Sequence, residues 1–207
     1  MRRLLAPLGL ALALLPGCWS APPIMPALAS AQVVEDFDTY RLRRVGVMPF
    51  DGEAMTLEQR AAIEDSFYAE VSHSTPYELV QLSERDLEAV TSSDPFRRGW
   101  YRPETIIQLA RRYSLDGIFF GEVTRHQFFP PQKLSMQVDL VAAETGLVVW
   151  SSSVHLDAAE KAVRDGVQVY YTDPDGDITD HTPDWEVALL SPARFAQFAA
   201  YQVASLL

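Results

Sequence analysis

Cysteine is nearly missing from this chain: Cys18 is the single one among 207 residues. No disulfide can form within the chain, so the fold must stand on packing alone. Basic residues are scarce too, 17 against 28 acidic ones, for a net charge of −11. Contact with phosphates needs a cationic surface, so nucleic acid is not an expected partner. Electrostatic attachment to anionic lipid is not expected either. Neither G-x-G-x-x-G nor a Walker sequence occurs, which argues against a phosphate-cradling loop. The four histidines, His73, His126, His155 and His181, share no metal-ligand spacing, and no H-E-x-x-H is present. No G-x-S-x-G elbow occurs, so Ser153, His155 and Asp157 read as the wet face of a strand. Glu122 and Glu144 fall on different strands and offer no carboxylate pair. The chain therefore reads as a non-enzyme without a cofactor.

Long hydrophobic runs are lacking as well. Arg2 and Arg3 precede an apolar stretch from Leu4 to Leu15, too short to span a bilayer stably and closed by the small Gly17. The four residues Leu15-Pro16-Gly17-Cys18 resemble a bacterial lipobox, which implies cleavage before Cys18 and acylation of that residue. Pro16 departs from the Ala, Ser or Thr usual at its position. Two or three acyl chains anchor a protein stably, where one does so only marginally. Trp19 stands where Asp would mark inner-membrane retention, so the resemblance implies the outer membrane with the domain facing the periplasm. The alternative is an ordinary secretory signal cut after Ala29 or Ala31.

Loss of residues 1–17 leaves about 190 residues, enough for one domain and a tether. The chain is 48% hydrophobic, which suffices for a core. Residues 18–41 read as the lipidated N-terminus and a tether, stiffened by Pro22, Pro23 and Pro26 and solvated by Glu35, Asp36 and Asp38. The alternative is a disordered N-terminus with no reach requirement. The domain is expected over 42–207. Val45 to Phe50 reads as a buried strand and Thr56 to Ser72 as a helix, with Thr56 and Gln59 as a capping box. Tyr77 to Leu82 completes a crossover unit, so its two strands should be parallel. A short helix over 84–90 and a helix from Pro103 follow, the latter with Ile106, Leu109, Ala110 and Tyr113 at helical spacing. Strands over 118–125, 134–142 and 147–156 form a meander. In the second, Leu134, Met136, Val138 and Leu140 alternate with Ser135, Gln137 and Asp139, so one face is core and the other wet. Glu144-Thr145-Gly146 is its hairpin turn. A helix capped by Asp157 runs to about Tyr171, and after an acidic loop a last helix starts at Ser191-Pro192. The result is an α/β fold with a mixed sheet of about five strands, a parallel crossover pair plus an antiparallel meander, and packed helices.

Three segments resemble CsgG/LpoB-type bacterial envelope lipoproteins. They are the opening strand Val45-Gly46-Val47-Met48-Pro49-Phe50, the run from Leu109-Ala110-Arg111-Arg112 to Asp116-Gly117 with Gly121-Glu122-Val123, and the hairpin Val138 to Gly146 followed by Val149-Trp150. The likeness covers roughly 43–207 and implies a non-enzymatic domain on an outer-membrane anchor. One branch builds the curli secretion channel through added membrane strands, for which this chain has no segments. The other activates penicillin-binding proteins, and its size and topology fit better. The expected partner is therefore a penicillin-binding protein or a secretion assembly. A cell-wall hydrolase is the reading from another class, and it lacks a convergent catalytic set.

Exposed aromatics are the candidate contacts: Phe128 and Phe129 on the 127–132 turn, and Phe96, Trp100 and Tyr101 on the 96–101 loop. Packing of those loops is the competing reading. Asp173, Asp175, Asp177 and Asp184 hold positions 1, 3, 5 and 12 of a calcium-type loop. Ile178 replaces the required Gly, however, and Asp184 replaces the bidentate Glu, so a solvated acidic loop is the competing reading.

Overall fold

The computed structural model describes residues 24–52, 54–85, 103–172 and 185–207. Its strands are β1 (Ala29–Val33), β2 (Arg44–Val47), β3 (Glu78–Gln81), β4 (Gly117–Gln127), β5 (Lys133–Ala142) and β6 (Val148–Asp157). The helices are α1 (Leu57–Ser74), α2 (Pro103–Tyr113), α3 (Lys161–Tyr171), α4 (Trp185–Ala188) and α5 (Pro192–Ala204). One six-stranded sheet has the order β1-β6-β5-β4-β2-β3. The parallel pairs β2–β3 and β2–β4 follow from the crossovers, and β4–β5–β6 is the antiparallel meander. This is the mixed α/β architecture expected from the sequence, with one strand more.

The added strand comes from the segment read as tether. Ala29 to Val33 pairs antiparallel with β6, Ala29 opposite Val154 and Val33 opposite Trp150. The chain before it is also packed. Leu28 N–H donates to Gln202 Oε1 at 3.0 Å, and a Cβ at Gly166 would meet Pro26 and Leu28 within 3.3 Å. Ala29, Ala31 and Val34 lie against the core. The reading of 18–41 as lipidated N-terminus and tether is thus corrected over β1. Small residues leave little hydrophobic periodicity on an edge strand, and Pro26 sits outside the ladder where its missing N–H is harmless.

Alternation along β4 sends Phe119 to one face and Phe120 to the other. Phe119 belongs to the larger core, under α1, α3, α4 and α5, with Phe50, Phe67, Met136, Trp150 and Phe198. Phe120 joins Ile106, Leu109 and Ile118 in a smaller cluster under α2. Gly121 is required beside Phe120, because a Cβ there would clash with the Phe50 ring at 2.4 Å. The expected wet face of β5 is drier than its pattern suggests: Ser135 and Asp139 are buried, and Ser151 Oγ donates to Asp139 Oδ1 at 2.6 Å. A bulge at Leu140/Val141 pairs Val141 with Val148. It turns Val148 to the smaller cluster, away from Trp150, Val154 and Leu156 in the larger core.

Local signals place the helix ends. Thr56 and Gln59 form the capping box expected for α1, which satisfies two otherwise unpaired N–H groups. Ser191 caps α5, with Pro192 in its first turn. Asp157 does not cap α3. Its Oδ1 accepts from Ala159 N–H at 2.9 Å, making a turn, and the helix starts at Lys161 after Glu160. The late acidic loop is interrupted by α4, with Ala188 buried.

Candidate functional site

Strand register gives the domain two poles. At one, β4 ends and β5 begins, Gln127 opposite Lys133, and β6 ends with Asp157 opposite Lys133. The turn over 128–132 crosses this pole, with a cis bond between Pro130 and Pro131. Gln127 Nε2 donates to Pro131 O at 2.7 Å and so braces the turn. Gln132 is fully buried, and its Nε2 donates to Leu189 O at 2.9 Å, tying the segment after α4 to the base of the turn. The two candidate aromatics here diverge. Phe128 packs on the core and stacks on His126 at 5.2 Å, whereas Phe129 is 68% exposed.

The opposite pole carries the β5–β6 hairpin. Gly146 has φ of +69°, the left-handed region that glycine enters without cost. Its N–H donates to Ala142 O at 2.8 Å. A Cβ at Gly146 would also crowd Pro103 at 3.2 Å, so the hairpin seats on the first turn of α2. Asp116 is the joint of this pole. Its Oδ2 accepts from Arg43 N–H at 3.0 Å and Arg44 N–H at 2.9 Å, and its backbone bonds Arg44 O and Ala143 N. Arg44 in turn pairs with Glu78. Between hairpin and α2 lies an open concavity of about 420 Å³, with an apolar floor of Ile107, Ala110, Leu115 and Ala143 and a rim of Tyr40, Arg111, Asp116 and Glu144. Leu147, in the same hairpin, is exposed. An apolar floor with a few charged rim groups suits a protein side chain.

Among the described residues, the chemistry-bearing side chains singled out in the sequence are engaged in separate places. Ser153 Oγ lies 3.3 Å from Ser30 Oγ, and Asp157 is engaged by Lys133 Nζ at 2.5 Å. Lys133, followed by the Ala159 N–H bond, holds the Asp157 carboxyl below the ordinary carboxylate range. Asp157 is thus spent on an ion pair and a turn, with no role beside His155. Glu122 bridges the β4 backbone to Asp51, while Glu144 sits at the hairpin. Glu70, nearly buried, accepts from Tyr170 Oη at 2.7 Å and from Gln197 Nε2 at 3.3 Å. Burial first, then the Glu70 carboxylate, pushes the Tyr170 hydroxyl well above its ordinary value. Burial likewise pushes Tyr171 up to about 12. Both phenols stay neutral and tie α3 to α1 and α5. Among the described residues, no group of three or more His, Cys, Asp or Glu could hold a metal ion.

Cys18, Phe96, Trp100, Tyr101, Asp173, Asp175, Asp177 and Asp184 lie outside the described residues. The concavity at the hairpin pole was not legible in the sequence. Tyr40, the Arg111–Asp116 run and Glu144 come from three separate segments, and no spacing links them. Only the Asp116-Gly117 and Thr145-Gly146 pairs marked that pole as one of tight turns.

Among the described residues no helix is long and apolar enough to cross a membrane. No family model matches the sequence, and no curated protein matches it. In fold, the chain is similar to PelC from Paraburkholderia phytofirmans, solved as a dodecamer, at 10% identity and a TM-score of 0.45, covering 84% of this chain and 96% of that one. It is similar to lipoprotein GNA1162 from Neisseria meningitidis at 18% identity and a TM-score of 0.41, covering 55% and 79%. It is likewise similar to LpoB from E. coli at 14% identity and a TM-score of 0.38, covering 73% and 83%.

Proposed function

We propose that this chain is an outer-membrane lipoprotein, anchored through acylated Cys18, whose periplasmic domain acts by docking a protein partner and not by catalysis. The observation that carries the anchor is the incorporation of β1 into the sheet. A signal cut after Ala29 or Ala31 would remove residues that pair with Val154, Ser153 and Ser152, together with Leu28 and its bond to Gln202. Cleavage before Cys18 leaves the strand whole. Sequence supplies the thiol where a lipobox needs it, and the fold makes the competing cleavage site an internal part of the domain.

The distal concavity is the docking face in this reading. Its hairpin is the segment most like the CsgG/LpoB-type lipoproteins, and that resemblance favours a peptidoglycan synthase of the penicillin-binding class as partner. Two experiments test the proposal. Mass spectrometry of the mature protein should show a triacylated Cys18 at the N-terminus, and Cys18→Ser should release the protein from membranes. An unmodified thiol, or a start downstream of it, would remove the anchor. Photo-crosslinking from position 147 in intact cells should capture a penicillin-binding protein. Capture of a secretion assembly instead would reassign the partner, and no adduct from this pole would rule out the concavity as the docking face.

A further inference from the structure

Exposed apolar side chains gather at the pole of the 128–132 turn. Phe129 is 68% exposed at its apex. The Gln132–Leu189 bond brings the segment of Val187 and Leu190, 47% and 61% exposed, to its base. β1 is antiparallel to β6, with Ala29 opposite Val154, so its N-terminal end lies on the side of the sheet nearer this pole, and Ile24 upstream of it is 89% exposed. We propose that this pole rests on the lipid surface to which Cys18 is fixed, with Phe129, Val187 and Leu190 entering the headgroup region and the concavity turned away from the membrane. The orientation depends on the lipid anchor proposed above.

Strand register places the attachment nearer the turn pole. Residues from Pro26 onward are packed on the domain, with Pro26 against Gly166 and Leu28 on Gln202. The eight steps of chain from Cys18 to Pro26 reach at most about 28 Å when fully extended. Ala29 stands opposite Val154, three residues from Asp157 and six from Val148 at the two ends of β6, which is about 10 Å against about 20 Å at strand rise. The chain thus enters the sheet nearer the turn pole, and the apolar side chains there select it over side-on and hairpin contact. A net charge of −11 gives no electrostatic attraction to anionic lipid, so attachment beyond the acyl chains must come from apolar insertion. Exposed Phe and Leu at one end are suited to that. Lys133 and Asp157 at the base of the turn neutralise each other.

The test uses full-length lipidated protein in vesicles of phosphatidylethanolamine and phosphatidylglycerol. Acylation consumes the thiol of Cys18, so Phe129→Cys or Leu147→Cys each carries one environment-sensitive dye. Expected is a blue-shifted emission at 129, quenched about twofold by brominated acyl chains, with the dye at 147 unchanged. Flotation with the vesicles but equal, water-like emission at both positions overturns the orientation and leaves the anchor intact. Failure to float overturns the anchor and the orientation with it. A blue shift at 129 that grows with protein concentration and needs no lipid would assign the pole to a second copy. Shielding at 129 that appears only with envelope proteins, without bromolipid quenching, would assign it to a protein. Either of these two results overturns the lipid contact.

Discussion

Trp150 is the residue through which the hairpin resemblance meets the core, and its replacement gives a worked test. The side chain is 1% exposed. Its ring meets Phe119 edge-on at 6.2 Å and 85°, and Nε1 donates to Leu206 O at 3.1 Å. That bond fastens the chain just beyond α5 to the sheet. Trp150→Phe keeps an aromatic ring but removes the donor, at about 1 kcal/mol for the bond. The smaller ring leaves a void costing about 1–2 kcal/mol more. The sum, about 2–3 kcal/mol, lowers the melting temperature by about 4–12 °C for a domain of this size. Trp150→Ala, which also strips the ring contact, should cost about 3–5 kcal/mol or more. Urea unfolding followed by far-UV circular dichroism is the right assay, because both variants remove a fluorescent reporter. The midpoint should fall at an unchanged slope. A Phe variant within about 0.5 kcal/mol of wild type would show that water replaces the indole donor freely. The fastening of α5 through Leu206 would then contribute nothing.

Gly121→Ala places a methyl group 2.4 Å from the Phe50 ring carbons, and with Phe50 and Phe67 5.2 Å apart in the core it should destabilise by about 1–3 kcal/mol in the same assay. Burial raises the Glu64 carboxyl above its ordinary value of 4.5, against the lowering by the Phe50 N–H bond and Arg60. The folded state therefore binds that proton more tightly than the unfolded chain, and stability falls as pH rises from 4.5 through the raised value. Glu64→Gln keeps an acceptor for Phe50 N–H and cannot ionise, so it should gain on wild type between acid and neutral pH in urea midpoints; parallel profiles would refute the assignment. Arg111→Glu with Leu147→Ser alters the rim of the concavity and the exposed apolar residue of the hairpin pole. It should reduce partner crosslinking from this pole severalfold while leaving the melting temperature within about 2 °C. Unchanged crosslinking would move the docking face elsewhere.

What could be read from the sequence was whatever depends on neighbours along the chain. Thr56 and Gln59 sit three apart and satisfy each other's backbone groups, so the start of α1 was visible in four residues. Thr145-Gly146 names its own turn, since only glycine takes φ of +69° cheaply. The meander and the parallel crossover follow from period and connection length. Where local pattern and tertiary demand diverged, the sequence misled. Asp157 precedes a helix and looks like its cap, yet Lys133 on the neighbouring strand and the turn at Ala159 engage its carboxylate. Val148 alternates in phase with Trp150, yet a bulge at Leu140/Val141 reverses its face.

By itself the sequence determined a lipobox-like run ending at Cys18, a disulfide-free acidic chain and an α/β succession of elements, because each is written in composition or short-range spacing. Only the tertiary structure decided that Ala29 to Val33 is a strand, since its partner on β6 lies more than a hundred residues away and its own small side chains carry no periodic signal. The tertiary structure also decided that Tyr40, Arg111, Asp116 and Glu144 share one concavity and that Phe129, Val187 and Leu190 share the opposite pole. Surfaces are assembled from segments distant in sequence, and strand register, which no local pattern encodes, fixes which of them meet.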